Sequence, residues 1–473
     1  EVFCAVDPTR SFPIAFQRET EGFAVGGFDQ LVDYENIVVV DNEITMFLAS
    51  GYCLSDKTIS KDVGSLAAGN YLVFRNDKVV ITEYRRYAPK LFDTTVPDET
   101  KYRLHERLDD AINASIRRTI EKANGRKIVL SLSAGLDSRV ILSKLLENKY
   151  DNLECISWGP RGNGDSVGAA KIAAQVRVPW RHVETNREFC RSVFWSDLRK
   201  EFWKYAFNGV SIPSFQEFFV LTKLLDAEGY SADNVLFVNG QSGDYNSGGH
   251  LPNVNATTGR QKLVYEYIAK HFGLFPKLVA SRDFRKIVEA ELRSQIGNHA
   301  ETISDLISAL DVLEFYERQS KWVINGQRSA DFFGCMWDLP LWNPEFVEFF
   351  EGVTYQDRVN QACFKSYLKD FDPFCLFQAD VARPKWTGTG SLAIPVARLV
   401  GLLLGSNAKT TAYRYFAYYG INHDQFSVYS LSDFLRVAPS LRNIISLHAL
   451  TFIEEFSNLG VTALENRKSK LLL

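Results

Sequence analysis

Two kinds of periodicity divide the chain. Over the first hundred residues, short apolar or β-branched runs stand at Ile37–Val40, Tyr71–Phe74 and Val79–Thr82. Turn residues at Asp41-Asn42, Ala68-Gly69-Asn70 and Asn76-Asp77 separate them, the pattern of short strands. No helix longer than two turns is expected here. The mostly polar run Asp93–Asp98 then marks a linker.

From Glu99 the period changes to 3.6. Leu104, Leu108, Ala111, Ile112, Ile116 and Ile120 share one face of a helix that ends at Asn124-Gly125. Strands and helices then alternate: strand Lys127–Leu132, helix Ser138–Leu146, strand Leu153–Trp158, helix Asp165–Val176, strands Arg181–Glu184 and Val235–Asn239. Such alternation predicts an α/β fold with a parallel, doubly wound sheet. Beyond residue 255 the pattern is mostly helical, clearest from about Asp305 to Phe333. The expected division is a small β-rich domain over residues 1–98 and, over residues 99–473, a larger α/β domain with a helical C-terminal elaboration.

Composition narrows the function classes. The 473 residues include 54 basic and 57 acidic side chains, a net charge of −3, so nothing pulls the whole chain toward nucleic acid or anionic membrane. The 7 cysteines, at 4, 53, 155, 190, 335, 363 and 375, never fall in a C-x-x-C spacing. That scatter speaks against a disulfide framework or a zinc site and for free thiols in a reducing compartment. The opening Glu1-Val2-Phe3-Cys4-Ala5 lacks the features of a signal peptide. The longest apolar stretch, Leu392–Leu404, is broken by Pro395 and Arg398 and is too short to span a bilayer. A cytoplasmic protein without a membrane span is expected, and a homodimer is left open.

The chemistry concentrates where the first parallel strand ends. After Leu132 the chain turns through Ser133-Ala134-Gly135, and a helix begins near Asp137-Ser138. Small residues let backbone approach a ligand, and the helix start directs free N–H groups and a positive dipole end at it, which makes a phosphate cradle. It is no Walker loop, since no Gly-Lys-Ser/Thr follows. Asp137 inside an anion site calls for a bridging cation, with Mg²⁺ the natural choice. The plainer alternative is that Ser133 and Asp137 only cap the helix.

Ser133-Ala134-Gly135-Leu136-Asp137-Ser138 resembles the S-G-G-x-D-S loop of the ATP pyrophosphatases, with Ala134 in place of a glycine. Four further segments resemble, in order, the synthetase domain of asparagine synthetases. They are Trp158-Gly159, like the segment that holds adenine; Asp165 at the next helix start; Gly240-Gln241-Ser242-Gly243-Asp244 with Gly248-Gly249-His250; and Arg383–Gly390 around Lys385. The resemblance spans roughly residues 103 to 420. It implies a pyrophosphatase-loop fold, related to the adenine nucleotide α-hydrolases. It also implies an enzyme that uses ATP and Mg²⁺ to adenylate a carboxylate, releases pyrophosphate, and passes the acyl group to an amine. Leu132, Ser133, Ala134, Gly135, Asp137, Ser138, Trp158, Gly159, Gly240 and Lys385 would bind ATP and pyrophosphate. Asp137 and Asp244 would hold Mg²⁺, and Lys385 would neutralise charge in the transition state.

Two departures matter. Gln241 stands where asparagine synthetases carry a functional glutamate, and glutamine cannot take a proton from an amine. β-Lactam synthetases also lack that glutamate and resemble a variant with an acid from a later helix. Here Glu314 and Glu317 lie on such a helix, and Glu317 is the expected base, the alternative being a solvated helix glutamate. Second, the N-terminal region resembles a degenerate glutaminase (Ntn-type) domain. Residue 1 is Glu, Cys4 is internal, and only Lys61–Arg86 is similar to that domain's last strands. The nitrogen source is then free ammonia or a substrate amine.

The segment Tyr316–Asn343 resembles asparagine synthetase-like proteins associated with bacterial surface polysaccharides, which implies amidation of a sugar uronate. Arg318, Lys321 and Arg328 are spaced to share one helix face that would hold a carboxylate or diphosphate, with Trp322 and Trp337 facing the sugar. A basic surface over an aromatic core is the alternative. An intramolecular lactam-forming ligase, of the lasso-peptide cyclase or β-lactam synthetase type, is the second functional reading. A non-catalytic nucleotide-binding protein is the third.

Overall fold

The computed structural model describes residues 1–19, 22–34, 36–93, 100–226, 230–254, 258–296, 300–377, 390–405, 408–409, 412, 428–430, 432 and 440–458. The candidate lysine Lys385 and most of its segment, and residues 94–98 of the expected linker, lie outside them.

The first hundred residues form two three-stranded antiparallel sheets. One pairs β1 (Val2–Ala5), β5 (Asn70–Arg75) and β6 (Lys78–Glu83); the other pairs β2 (Ala15–Glu19), β3 (Gly22–Gly26) and β4 (Val63–Ser65). The strands expected at Tyr71–Phe74 and Val79–Thr82 are present and pair as an antiparallel hairpin, in the register Leu72↔Ile81. The expected strand at Ile37–Val40 is not: Val39 makes only an isolated bridge to Ser60. The expectation of no long helix also fails, because Asp41–Ser50 is a ten-residue helix closed by Gly51 at φ +93°. Seven of its ten residues are buried, so it shows no polar face from which a helical period could be read.

The larger part is α/β. Five parallel strands run in the order β11-β10-β7-β8-β9, with β7 Lys127–Ser131, β8 Leu153–Gly159, β9 Trp180–Glu184, β10 Val235–Val238 and β11 Met336–Asp338. The edge strand β11 has only 3 residues and was not foreseen. In β7 Ile128, Val129 and Leu130 are fully buried, as a central parallel strand covered on both faces requires. The helix Lys101–Ala123 lays Leu108, Ile112 and Ile116 against this sheet with no exposure.

The predicted long helix runs from Ile303 to Phe332 but changes its turn: α over Ile303–Leu313, π over Glu314–Val323, 3₁₀ over Ile324–Gln327, α again over Arg328–Phe332. One apolar cluster unites Phe28 and Phe47 with Phe202, Phe207, Phe215 and Phe452, so the core crosses the expected boundary at residue 98. The buried Arg10 ties the parts further, donating to the Leu66 and Ser320 carbonyls at 3.1 and 3.2 Å. None of the seven cysteines forms a disulfide, and five of them are buried. Among the described residues no helix is long and apolar enough to cross a membrane.

Candidate active site

Strand β7 begins both directions of the sheet: the chain continues to β8 and β9 on one side, then returns to β10 and β11 on the other. In open parallel sheets, ligands bind outside the carboxyl ends of the strands at such a switch point. A pocket of about 510 Å³ lies there, within the range of small-molecule sites. It gathers Leu132, Ser133, Gly135, Asp137 and Ser138 from the loop after β7, Trp158 and Gly159 from the end of β8, and Gly240 and Gln241 from the loop after β10. These were all singled out from sequence; Ala134 belongs to the same turn.

The β7 loop is tied by its own hydroxyls. Ser133 N donates to Ser138 Oγ at 3.1 Å, and Gly135 N donates to Ser133 Oγ at 3.0 Å. Gly135 then caps the helix Leu136–Glu147, which leaves the start of that helix facing the pocket. The plainer reading, helix capping by Ser133 and Asp137, is not what is found: Gly135 is the N-cap without a side-chain cap, and the Ser133 and Ser138 hydroxyls tie the turn instead. Asp137 caps nothing in this arrangement. At the end of β8, Gly159 takes φ +115°, and Asn163, which caps the helix Gly164–Gln175, donates to the Trp158 carbonyl at 3.2 Å.

The loop after β10 comes very close to Asp137. A Cβ on Gly240 would stand 2.8 Å from Asp137 Cβ, and one on Gly243 would stand 2.7 Å from Asp137 Cγ. Between them Ser242 holds a left-handed conformation at φ 66°, unusual for a residue with a Cβ, and its hydroxyl donates to Gln319 Oε1 at 3.0 Å. This loop brings Asp244 to Asp137. Burial, then the negative charge of Asp244, push the Asp137 carboxyl up to about 7, against a hydrogen bond from the Asp244 backbone. Among the described residues neither acid has an ion-pair partner, and none of the pocket's lining residues is Lys or Arg.

Two neighbouring acids without a counter-charge fit a divalent cation whose remaining ligands come from phosphate oxygens and water. They do not fit a self-sufficient metal cage: among the described residues no group of three or more His, Cys, Asp or Glu is arranged to hold an ion.

Gln241 is fixed at both ends of its amide. Nε2 donates to the Val323 carbonyl at 2.8 Å, and Oε1 accepts from Gln327 Nε2 at 2.7 Å.

The four helix residues expected to bind the substrate or act as base, Glu317, Arg318, Lys321 and Arg328, do not line this pocket. Glu317 accepts from Ser55 N at 3.0 Å and pairs with Lys321 at 2.6 Å. Lys321 also donates to the Cys53 carbonyl at 3.1 Å, and both side chains are buried. Arg328 pairs with Asp331 at 2.8 Å and covers the Phe12 ring at 4.7 Å. Arg318 pairs with Glu314 at 3.1 Å and lies over Trp322 at 5.0 Å. Trp337 is itself buried. The expected free cationic face is therefore a correction: its charges bind this chain's own carbonyls, acids and rings. Glu317 as the base is corrected on the same ground.

The lining also includes Asn163, Asp165, Asn239, Gln216 and Glu217. Asp165 was marked at its helix start, and Asn239 was read as the last residue of its strand. Glu217 was missed. It sits in the first turn of the helix Gln216–Leu225, accepts from Ser214 Oγ at 3.1 Å, and has no neighbouring motif to betray it. Burial raises its carboxyl above the usual range, against hydrogen bonds from its own backbone N–H and from Ser214.

No family model matches the chain, and no curated protein matches it either.

Proposed function

We propose that the chain is an ATP-dependent ligase that activates a carboxylate as its adenylate, releases pyrophosphate and transfers the acyl group to an amine or ammonia. The observation that carries this reading is the meeting of Asp137 and Asp244, from loops after adjacent parallel strands, at the start of the helix Leu136–Glu147. A simple anion site would not place two carboxylates there. A site for a metal-bound polyphosphate would.

In this reading the fold is that of the pyrophosphatase-loop enzymes, and residues 1–98 serve as a degenerate glutaminase-like domain without ammonia production. Ser133, Ser138 and the free backbone N–H groups after Gly135 hold the phosphates, and the Trp158-Gly159 strand end receives the adenine. Asp137 and Asp244 hold Mg²⁺, which when bound offsets the phosphate charge. Lys385 supplies a positive charge to the transferring group. The substrate carboxylate enters from the side of Gln241 and Asn239. The uronate assignment loses its main support, because Arg318, Lys321 and Arg328 are engaged within the fold. The acid is accordingly proposed only as a small-molecule, saccharide or peptide carboxylate.

The test is carboxylate-dependent exchange of labelled pyrophosphate into ATP with Mg²⁺, across sugar uronates, UDP-uronates and acidic peptides. Exchange stimulated by one class, and abolished in Asp137→Asn, is the expected result. Full exchange in Asp137→Asn would refute the metal assignment, and silence with every acid, amines present, would refute the ligase reading.

A further inference from the structure

Amide formation needs a group that removes a proton from the attacking nitrogen, and in this chain Gln241 cannot provide it. Its amide oxygen already accepts from Gln327 and its amide nitrogen donates to Val323, so it is a fixed neutral wall. Three acids line the pocket: Asp137, Asp165 and Glu217. Asp137 is taken up by its neighbour Asp244, whose charge it feels and whose backbone N–H donates to it. Asp165 is exposed, beyond Trp158 at the start of the helix Gly164–Gln175.

Glu217 differs from both. It is partly buried, and among the described residues its one side-chain partner is the Ser214 hydroxyl at 3.1 Å and no cation pairs with it. Gly326 keeps the space beside it open. A Cβ there would stand 3.7 Å from Glu217 Oε2 and 3.5 Å from Gln241 Nε2, so one missing side chain separates the acid from the amide. The acid thus reaches the same part of the pocket as Gln241, from a helix that precedes the Gly240 loop in the chain.

We infer that Glu217 is the catalytic base of the second half-reaction and the anchor for a primary amine or ammonia as co-substrate; this rests on the ligase reading above. The carboxylate first holds the amine in the pocket. The nitrogen lone pair then forms the C–N bond to the activated acyl carbon. The bond from that carbon to the AMP oxygen breaks, its electron pair leaving with AMP. The nitrogen passes one proton to Glu217, which returns it to water. One amide, one AMP and one proton result.

The experiment separates the two half-reactions in the 473-residue chain, using glucuronate, UDP-glucuronate and a glutamate-containing peptide as acids and ammonium or glycine as amines. In Glu217→Gln, carboxylate-dependent pyrophosphate exchange and trapping of the activated acyl group by hydroxylamine should stay within about threefold of the unmodified enzyme. Amide formation should fall on the order of 100-fold or more, the usual contribution of a general base. Glu217→Asp should lie between the two. Retained exchange also shows that the variant is folded. Normal amide formation in Glu217→Gln overturns the inference alone, as does an equal loss of exchange and amide, which would put Glu217 in the first half-reaction. Absence of exchange in the unmodified enzyme overturns the ligase reading itself, and is distinguished because no variant is then involved.

Discussion

Gln327 donates from Nε2 to Oε1 of Gln241 across 2.7 Å, fixing which way the Gln241 amide faces the pocket. The Val323 carbonyl that takes the other end belongs to the last π-type residue of the long helix. That carbonyl and Gln327 are presented together because the helix tightens from π to 3₁₀ between them. Gln327→Leu should therefore leave Gln241 Oε1 without its donor and destabilise the fold by about 1–3 kcal/mol. Urea unfolding measures this directly. Pyrophosphate exchange should fall as well, because the Gln241 amide would be held only through the Val323 carbonyl and no longer fixed at both ends.

Gly243 carries a sharper prediction. A Cβ there would stand 2.7 Å from Asp137 Cγ and 2.5 Å from Leu341 Cδ1, closer than real contacts allow. Gly243→Ala must push Asp137 aside or shift the Asp244 loop. Overpacking of this kind costs about 1–3 kcal/mol, but the effect on exchange should be far larger than the effect on the melting temperature. A variant with unchanged exchange would show that the Asp137–Asp244 approach is not needed.

Asp311 sets an acid limit on the stability of the same region. Burial alone would raise its carboxyl, but Arg358 and His250 overcome this and hold it at about 2. Arg358 Nη1 reaches it at 3.0 Å and His250 Nε2 at 2.6 Å, while Arg358 Nε holds the Asn246 carbonyl, two residues after Asp244. The folded-state value lies below the unfolded one, so the stabilisation is complete above about pH 4 and is lost as pH falls toward 2. The shift corresponds to roughly 2–3 kcal/mol. Denaturation midpoints between pH 5 and 2 should show this decline, and Asp311→Asn should be less stable at pH 7 and lack that part of the slope. Leaving Arg358 buried without its partner should cost about 3–5 kcal/mol.

The loop after β7 was legible because its pattern is local: the end of a buried strand, three small residues and a helix start lie within nine positions, Ser131 to Arg139. The parallel sheet followed from alternation alone. What escaped was non-local or too short. Strand β11 has 3 residues and exists because β10 offers it an edge. The helix Asp41–Ser50 is buried on most sides, which erases its period. Glu217 reaches Gln241 only through the tertiary fold, past Gly326, more than a hundred residues away in sequence. The cationic face failed for a different reason. Spacings of three, seven and ten residues imply one face only if every turn holds 3.6 residues. Between Arg318 and Arg328 the chain passes through π and 3₁₀ turns instead.

That last difference can be tested at Lys321. Its ammonium meets Glu317 Oε2 at 2.6 Å and the Cys53 carbonyl at 3.1 Å, while Glu317 accepts from Ser55 N. The pair therefore pins the loop after the helix Asp41–Ser50 onto the long helix. Burial pushes the Glu317 carboxyl up, and Lys321 is the chief influence holding it down. Lys321→Met removes that influence and leaves an acid buried without its counter-charge, a loss of about 3–5 kcal/mol. The double variant Lys321→Met with Glu317→Gln should recover much of it, because the amide oxygen still accepts from Ser55 and no buried charge remains. Exchange measured per folded molecule should be unchanged in both. A substrate-binding lysine would behave in the opposite way, with little change in stability and a steep rise in KM for the acid.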